Sequence, residues 1–148
     1  MTPYLDAGFL LTLLIPTNGT AVARHVLRDV RAPFDLNFLH QLQAENLLKA
    51  MEASPERERQ RAGRQARGLW ERYFAEGVFQ LSTPTAWDTA FVIAIAWNDS
   101  YSTPPPPPLL LLHPALAAVG GATDFFSFDP RSRTAAKAAD LRVRPERL

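Results

Sequence analysis

The stretch Gly121-Ala122-Thr123-Asp124-Phe125-Phe126-Ser127-Phe128-Asp129-Pro130 decides how the chain is read. Asp124 to Phe128 is short and aromatic, with turn residues on both sides, and reads as a buried strand. Asp129-Pro130 then opens a helix. An Asp at the N-cap accepts from unpaired backbone N–H groups, and a proline suits the first helical position, where its missing N–H is not needed. The start of the chain repeats this figure: Tyr4-Leu5 begins an apolar run that reads as a buried first strand and stops at Asp6. Further strands are expected at Phe34 to Leu36, Val78 to Leu81 and Leu141 to Val143.

Helical patterns fill the intervals. Phe9 to Ile15 is apolar, and Pro16-Thr17-Asn18-Gly19 ends it. Ala21 to Val30 carries Val22, Val26, Leu27 and Val30 at helical spacing. Phe38, Leu39, Leu42, Leu48 and Met51 mark the expected buried face of the next helix. Ser54-Pro55-Glu56 reads as the start of a helix that runs to about Ala75, stops at Gly77, and buries Leu69, Trp70, Tyr73 and Phe74. Thr83-Pro84 repeats the start signal before Trp87, Phe91, Ala94 and Trp97. Strands alternating with helices predict an α/β fold: one three-layer α/β/α domain over residues 1–148, with a central, mainly parallel sheet.

The totals agree with that reading. The chain has 148 residues, 47% hydrophobic and 21% charged, which suits one domain with one core. It has no cysteine, which excludes disulfides and thiolate zinc sites and fits a cytoplasmic location. Met1 to Pro16 carries Asp6 and no basic lead, so no signal peptide is expected, and no apolar run is long enough for a membrane helix. A net charge of +1 leaves any nucleic-acid affinity to a local patch. One segment breaks the pattern: five prolines, Pro104 to Pro108, are followed by four leucines, Leu109 to Leu112. The prolines are expected to be extended and the leucines to open a buried helix, with Pro114 tolerable only in its first turn.

Three segments resemble PIN domains, especially the VapC-like toxins of type II toxin–antitoxin pairs. Tyr4-Leu5-Asp6-Ala7-Gly8-Phe9-Leu10 is similar to the family's opening strand. Leu39-His40-Gln41-Leu42-Gln43-Ala44-Glu45-Asn46-Leu47-Leu48 is similar to the helix that supplies a Glu three residues before an Asn. His113-Pro114-Ala115-Leu116-Ala117-Ala118, continuing through Gly121 to Asp129, is similar to the closing Asp-x-x-His-x-Ala and Gly-Ala-x-x-Phe-x-Thr-Phe-Asp pattern. The segments stand in family order and span nearly the whole chain.

The resemblance implies an RNA-cutting fold whose Mg²⁺ or Mn²⁺ is held by three or four acids. Several are needed because the ion wants near-octahedral oxygen ligands and must activate a water beside a charged phosphate. Asp6 stands at the first acid and Asp129 at the fourth. Gln43 replaces the helix acid, keeping its shape without its charge, and Leu110 replaces the third acid with no side-chain oxygen. Gly8 stands where the family has Ser, and the proline run replaces a Gly- and Arg-containing loop. The expectation is a degenerate site with weak or absent metal binding, no bound cofactor, and a binding or regulatory role. The alternatives are an active Mg²⁺-dependent ribonuclease toxin and a purely structural module. The implied partners are a second copy in a homodimer, an antitoxin protein, or RNA.

Each singled-out residue also has a plain reading. Asp6 and Asp129 also read as helix caps, a role each can hold together with that of a site acid. Glu45 lies about 200° around the helix from Gln43 and is expected on the solvated surface. Asp99 reads as an exposed residue before the proline run or as a substitute ligand. His113 reads as a packing residue, and His25, His40 and His113 form no ligand motif. Six arginines from Arg57 to Arg72 interleave with four glutamates and read as a salt-bridged solvent face. Arg131, Arg133, Lys137, Arg142, Arg144 and Arg147 form a less balanced set that suits a phosphate path. The apolar arcs of Phe38 to Met51 and Leu69 to Phe74 are wide enough to predict a homodimer through one or both helices, the alternative being that both stripes are used inside the monomer.

Overall fold

The structure is a computed structural model that describes residues 2–83, 86–101 and 104–146. The elements run β1 (Pro3–Leu5), α1 (Ala7–Leu14), α2 (Thr20–Asp29), β2 (Phe34–Leu36), α3 (Phe38–Glu52), α4 (Arg57–Ala75), β3 (Phe79–Leu81), α5 (Trp87–Ser100), α6 (Leu109–Val119), β4 (Asp124–Phe126), α7 (Pro130–Ala138) and β5 (Arg142–Arg144). Every strand pairs in parallel, so the chain is α/β. The expected single sheet is in two pieces, a three-stranded sheet in the order β1-β4-β5 and a two-stranded sheet of β2 and β3.

A side chain stands at the seam. Asp6 N–H donates to the Phe126 carbonyl on β4 at 3.0 Å. Successive backbone groups of a strand point to opposite sides, so the Leu5 carbonyl faces away from β4. There it accepts from His40 Nε2 of α3 at 2.7 Å. The imidazole thus satisfies a backbone oxygen that another strand's N–H would otherwise have to meet.

Strand alternation divides the core. Tyr4, Phe125 and Val143 are in register and face a cluster with α5, α6 and α7 that includes Ala90, Leu112 and Ala136. Leu5 and Phe126 face the other way, into a cluster with Phe9, Leu13, Phe34, Leu48, Trp70 and Phe79. Helices therefore cover both faces of the sheet. The Phe34 ring meets both Phe79 and Phe126 edge-on, and packing of this kind carries the two strand groups across their seam.

Several sequence expectations need correction. α3 buries His40, Ala44, Leu48 and Met51, whereas Phe38 and Leu42 are 58% and 65% exposed. The buried bond of His40 fixes the rotation of the helix and turns the predicted apolar stripe partly outward. α4 begins at Arg57 with Glu56 as N-cap; Ser54 instead accepts from the Glu56 N–H at 3.3 Å in the turn between helices. Trp70 is buried, and Leu69, Tyr73 and Phe74 pack on the same core, so the α4 stripe is used inside the chain and is not left for a dimer. Val22 and Phe91 are exposed, whereas Trp87, Ala94 and Trp97 of the expected α5 face pack on the cluster of Tyr4 and Phe125, with Ala90 beside them.

Glu45 is not a free surface acid. It is half-buried and pairs with Arg67 of α4 at 3.1 Å, while Glu52 takes the Nε of the same guanidinium at 2.6 Å. Arg67 therefore ties α4 to α3 rather than to glutamates of its own helix. Pro108 already has helical backbone as the N-cap of α6, and Pro114 is the sixth residue of that helix, beyond the first turn. The missing N–H at Pro114 leaves the Leu110 carbonyl without its helical partner. Burial of Leu111, Leu112, Ala115 and Leu116 on both sides offsets that loss. Pro84 and Arg147 lie outside the described residues. Among the described residues no helix is long and apolar enough to cross a membrane.

Candidate functional site

Parallel strands deliver their following residues to one edge, where open α/β sheets gather ligands. Asp6 follows β1 and Asp129 follows β4, and these strands are neighbours, so both acids stand at the same carboxyl-end edge. Asp6 is the N-cap of α1: its Oδ1 accepts from the Phe9 N–H at 2.7 Å. The side chain is buried. Burial pushes its carboxyl up to about 6, the nearby Asp129 charge adds to that, and the Ser127 hydroxyl and the N–H groups of Phe9 and Gly8 pull the other way.

Asp129 is the N-cap of α7. Its Oδ1 accepts from the Arg131 N–H at 2.8 Å and the Ser132 N–H at 3.3 Å, and its Oδ2 accepts from Arg131 Nη2 at 2.9 Å. Partial burial disfavours its charge, but the Arg131 guanidinium and the two backbone donors outweigh it and hold the carboxyl below its usual range. The Asp129 N–H donates to Ser127 Oγ at 3.0 Å, so Ser127 stands between the two acids. Arg133 brings a second guanidinium to this edge: it is buried and donates to the carbonyls of Ser127 and Pro145, each at 2.8 Å. Burial lowers its pKa.

Gln43 and Leu110 lie on the two helices beside β1. Gln43 Oε1 is 3.1 Å from His113 Nε2, and His113 Nδ1 is 3.0 Å from the Tyr4 hydroxyl. Asn37 Nδ2 donates to that hydroxyl at 3.3 Å. Donors and acceptors fix the direction. The Tyr4 hydroxyl accepts from Asn37 and so donates to His113 Nδ1, which leaves the proton of neutral His113 on Nε2, aimed at Gln43. His40 has its proton on Nε2, given to Leu5, and its Nδ1 accepts from the Asn37 N–H at 3.1 Å. Burial holds His40 down to about 4 and His113 well below its ordinary value, with the neighbouring His40 adding to the effect on His113. Both rings are thus neutral spacers, their centroids 4.8 Å apart. Leu110 is half-buried in the first turn of α6 and adds no side-chain oxygen.

No protein-family model matches the chain, and no curated protein matches it. The site is therefore defined by its own chemistry. It unites Asp6, Ser127 and Asp129 at the carboxyl-end edge and joins Gln43 to His113 beneath α3 and α6. It leaves out Asp99, which is exposed near the end of α5, and His25, whose Nε2 lies 4.0 Å from Asp29 on the surface of α2. Among the described residues no group of three or more His, Cys, Asp or Glu side chains is placed to hold a metal ion.

A divalent cation fits this donor set poorly. Asp6 is a buried cap. Asp129 has already given its oxygens to a guanidinium and two N–H groups, and two arginines stand at the edge. Sequence reasoning missed three members of the arrangement, Tyr4, Asn37 and Ser127, and placed Arg131 only in a basic set suited to a phosphate path. Asn37 three residues before His40 was a legible capping-box spacing, with His in place of the usual Glu or Gln. The Tyr4–His113 bond, across 109 residues of sequence, left no local signal.

Proposed function

We propose that the chain is a PIN-like domain whose acid edge has lost its nuclease chemistry and that now acts as a binding or regulatory module. The observation that carries this reading is the state of Asp129, whose carboxylate is neutralised by Arg131 where a metal ligand would have to be free. Gln43 supports it, because its oxygen is engaged by neutral His113 and carries no charge to offer an ion. Leu110 supports it by contributing no ligand atom.

One observation favours the runner-up, a working Mg²⁺- or Mn²⁺-dependent endoribonuclease of a toxin–antitoxin pair. Asp6 is kept buried close enough to Asp129 to feel its charge, an arrangement that a bound cation would relieve. A labelled single-stranded RNA incubated with Mn²⁺ separates the two. The proposal expects cleavage no faster than without protein. Mn²⁺-dependent cleavage that disappears in Asp6→Asn would establish the nuclease instead. Loss of every binding activity as well would leave the purely structural module.

For partners, Phe38 and Leu42 are the large apolar residues of α3 left exposed, and they support a homodimer through that helix. Sedimentation at micromolar concentration tests it; a monomer would leave an antitoxin-like protein or RNA as the remaining partners of this reading.

A further inference from the structure

Two adjoining clefts run between α2 and α4, about 500 Å³ and 460 Å³ in volume, and they share Arg24. Arg24, Arg28 and Arg31 line them from the α2 side, and Arg64 and Arg72 from α4. Glu76 is the one carboxylate among the described lining residues. None of the five arginines lies within ion-pair distance of a carboxylate among the described residues, although Arg28 Nη2 touches His25 Nδ1 at 3.3 Å. All five are exposed. Of the α3 glutamates, Glu45 and Glu52 are both bonded to Arg67, and Glu52 also lies near enough to Arg64 to feel its charge.

The place and pattern of these charges matter. Pro33 and Val78 lie in the groove where the chain enters β2 and β3, so it sits at the amino end of the two-stranded sheet, and neither Asp6 nor Asp129 lines it. On α2, Arg24 and Arg28 stand about one turn of ~5.4 Å apart, and Arg31 follows just past the helix end. Gly68, between Arg64 and Arg72, has nothing within 4 Å of where a Cβ would stand, so a ligand can approach the α4 backbone there.

An acidic protein segment would need apolar anchors as well as charge. The apolar lining residues Leu27, Val30, Leu69 and Tyr73 are packed against the core and offer little. A chain with a charge at every repeat and no need of apolar pockets is the better match.

We propose that the groove between α2 and α4 binds the phosphodiester backbone of a single-stranded nucleic acid. It does so without sequence preference, through Arg24, Arg28, Arg31, Arg64 and Arg72. This site is separate from the acid edge, and its existence does not depend on whether that edge is active.

Fluorescence anisotropy with labelled RNA and DNA single strands of about 20 nucleotides tests it. The variant Arg24→Ala/Arg64→Ala/Arg72→Ala is compared with Lys49→Ala/Arg59→Ala/Lys137→Ala, which removes as much charge elsewhere. Circular dichroism checks that both remain folded. The groove variant should bind at least about tenfold more weakly and the control less than about threefold. Between about 50 and about 200 mM salt the groove variant should show a log–log slope shallower by about 2, at roughly 0.7 per lost phosphate contact. Tighter binding of RNA than DNA, or the reverse, assigns the natural source of the backbone. Equal losses in both variants would overturn the proposal. So would no binding of either strand at the lowest salt, or a polyglutamate peptide bound as tightly through the same arginines.

Discussion

Replacing Asp6 with Asn removes a charge that the fold holds almost entirely out of water. The Asp6 side chain is buried, and its carboxyl is raised from 3.8 to about 6. At about 1.4 kcal/mol per pH unit, that rise means the ionised group costs the folded state up to about 3 kcal/mol. The direction follows from linkage. The folded protein holds this proton more tightly than the unfolded chain, so the Asp6 contribution to wild-type stability falls as the pH rises from about 4 to about 6 and then levels off. Asn keeps the cap, because its amide oxygen can still accept from the Phe9 N–H, and Asn and Asp are comparable N-caps. Asp6→Asn should therefore stabilise at pH 8. With roughly 2–4 °C per kcal/mol for a chain of this size, the melting temperature should rise by up to about 6–12 °C. At pH 3.5 the difference should nearly vanish, since the carboxyl is then mostly protonated in both states. The histidines titrate in both proteins and cancel in the difference. Calorimetry across this range decides the matter. A pH-independent difference, or a variant less stable at pH 8, would refute the claim that burial dominates at Asp6.

Other expectations follow from the same geometry. Tyr4→Phe leaves His113 Nδ1 and one Asn37 amide proton without their hydroxyl, at a cost of about 2–4 kcal/mol, readable by urea unfolding. His40 is depressed to about 4 in the folded state, so its contribution is full above about pH 6.5 and is lost as the pH falls towards 4, by up to about 3 kcal/mol. Nitrogen NMR should find the His40 ring neutral at pH 5, and a charged ring there would contradict both the dominance of burial and the Asn37 N–H bond to Nδ1. Gly63→Ala sets a Cβ 2.8 Å from Met51 Cβ, where α3 and α4 touch. Despite a helix-propensity gain of about 1 kcal/mol, the overpacking should leave a net loss of about 1–2 kcal/mol in thermal melts.

Where local chemistry was decisive, the sequence was readable. Asp129-Pro130 marks the start of α7 because capping and proline geometry act over neighbouring residues. Tyr4-Leu5 and Phe34 to Leu36 mark strands because short aromatic and aliphatic runs fit a buried sheet. The rotation of α3 was hidden, since it depends on His40 reaching Leu5 across 35 residues. The α4 start was hidden too: Ser54-Pro55 is a sound local signal, yet the chain uses Ser54 in the turn after α3. At the candidate site, the positions of Asp6 and Asp129 were legible, but their condition was not. Burial of Asp6 and capture of Asp129 by Arg131 arise only when strands, caps and neighbours are assembled.

Calorimetric titration with Mn²⁺ tests the central claim most directly, using the wild type and Gln43→Glu/Leu110→Asp. The two substitutions restore carboxylates at the replaced positions. The wild type should give no saturable heat up to about millimolar Mn²⁺, given that Asp129 is engaged and the ion needs several free oxygens. The double variant should gain measurable affinity, as Mn²⁺ displaces Arg131 from Asp129 in favour of three or four acids. Micromolar Mn²⁺ binding by the wild type, abolished in Asp6→Asn, would contradict the account and return the acid edge to the metal-dependent nucleases.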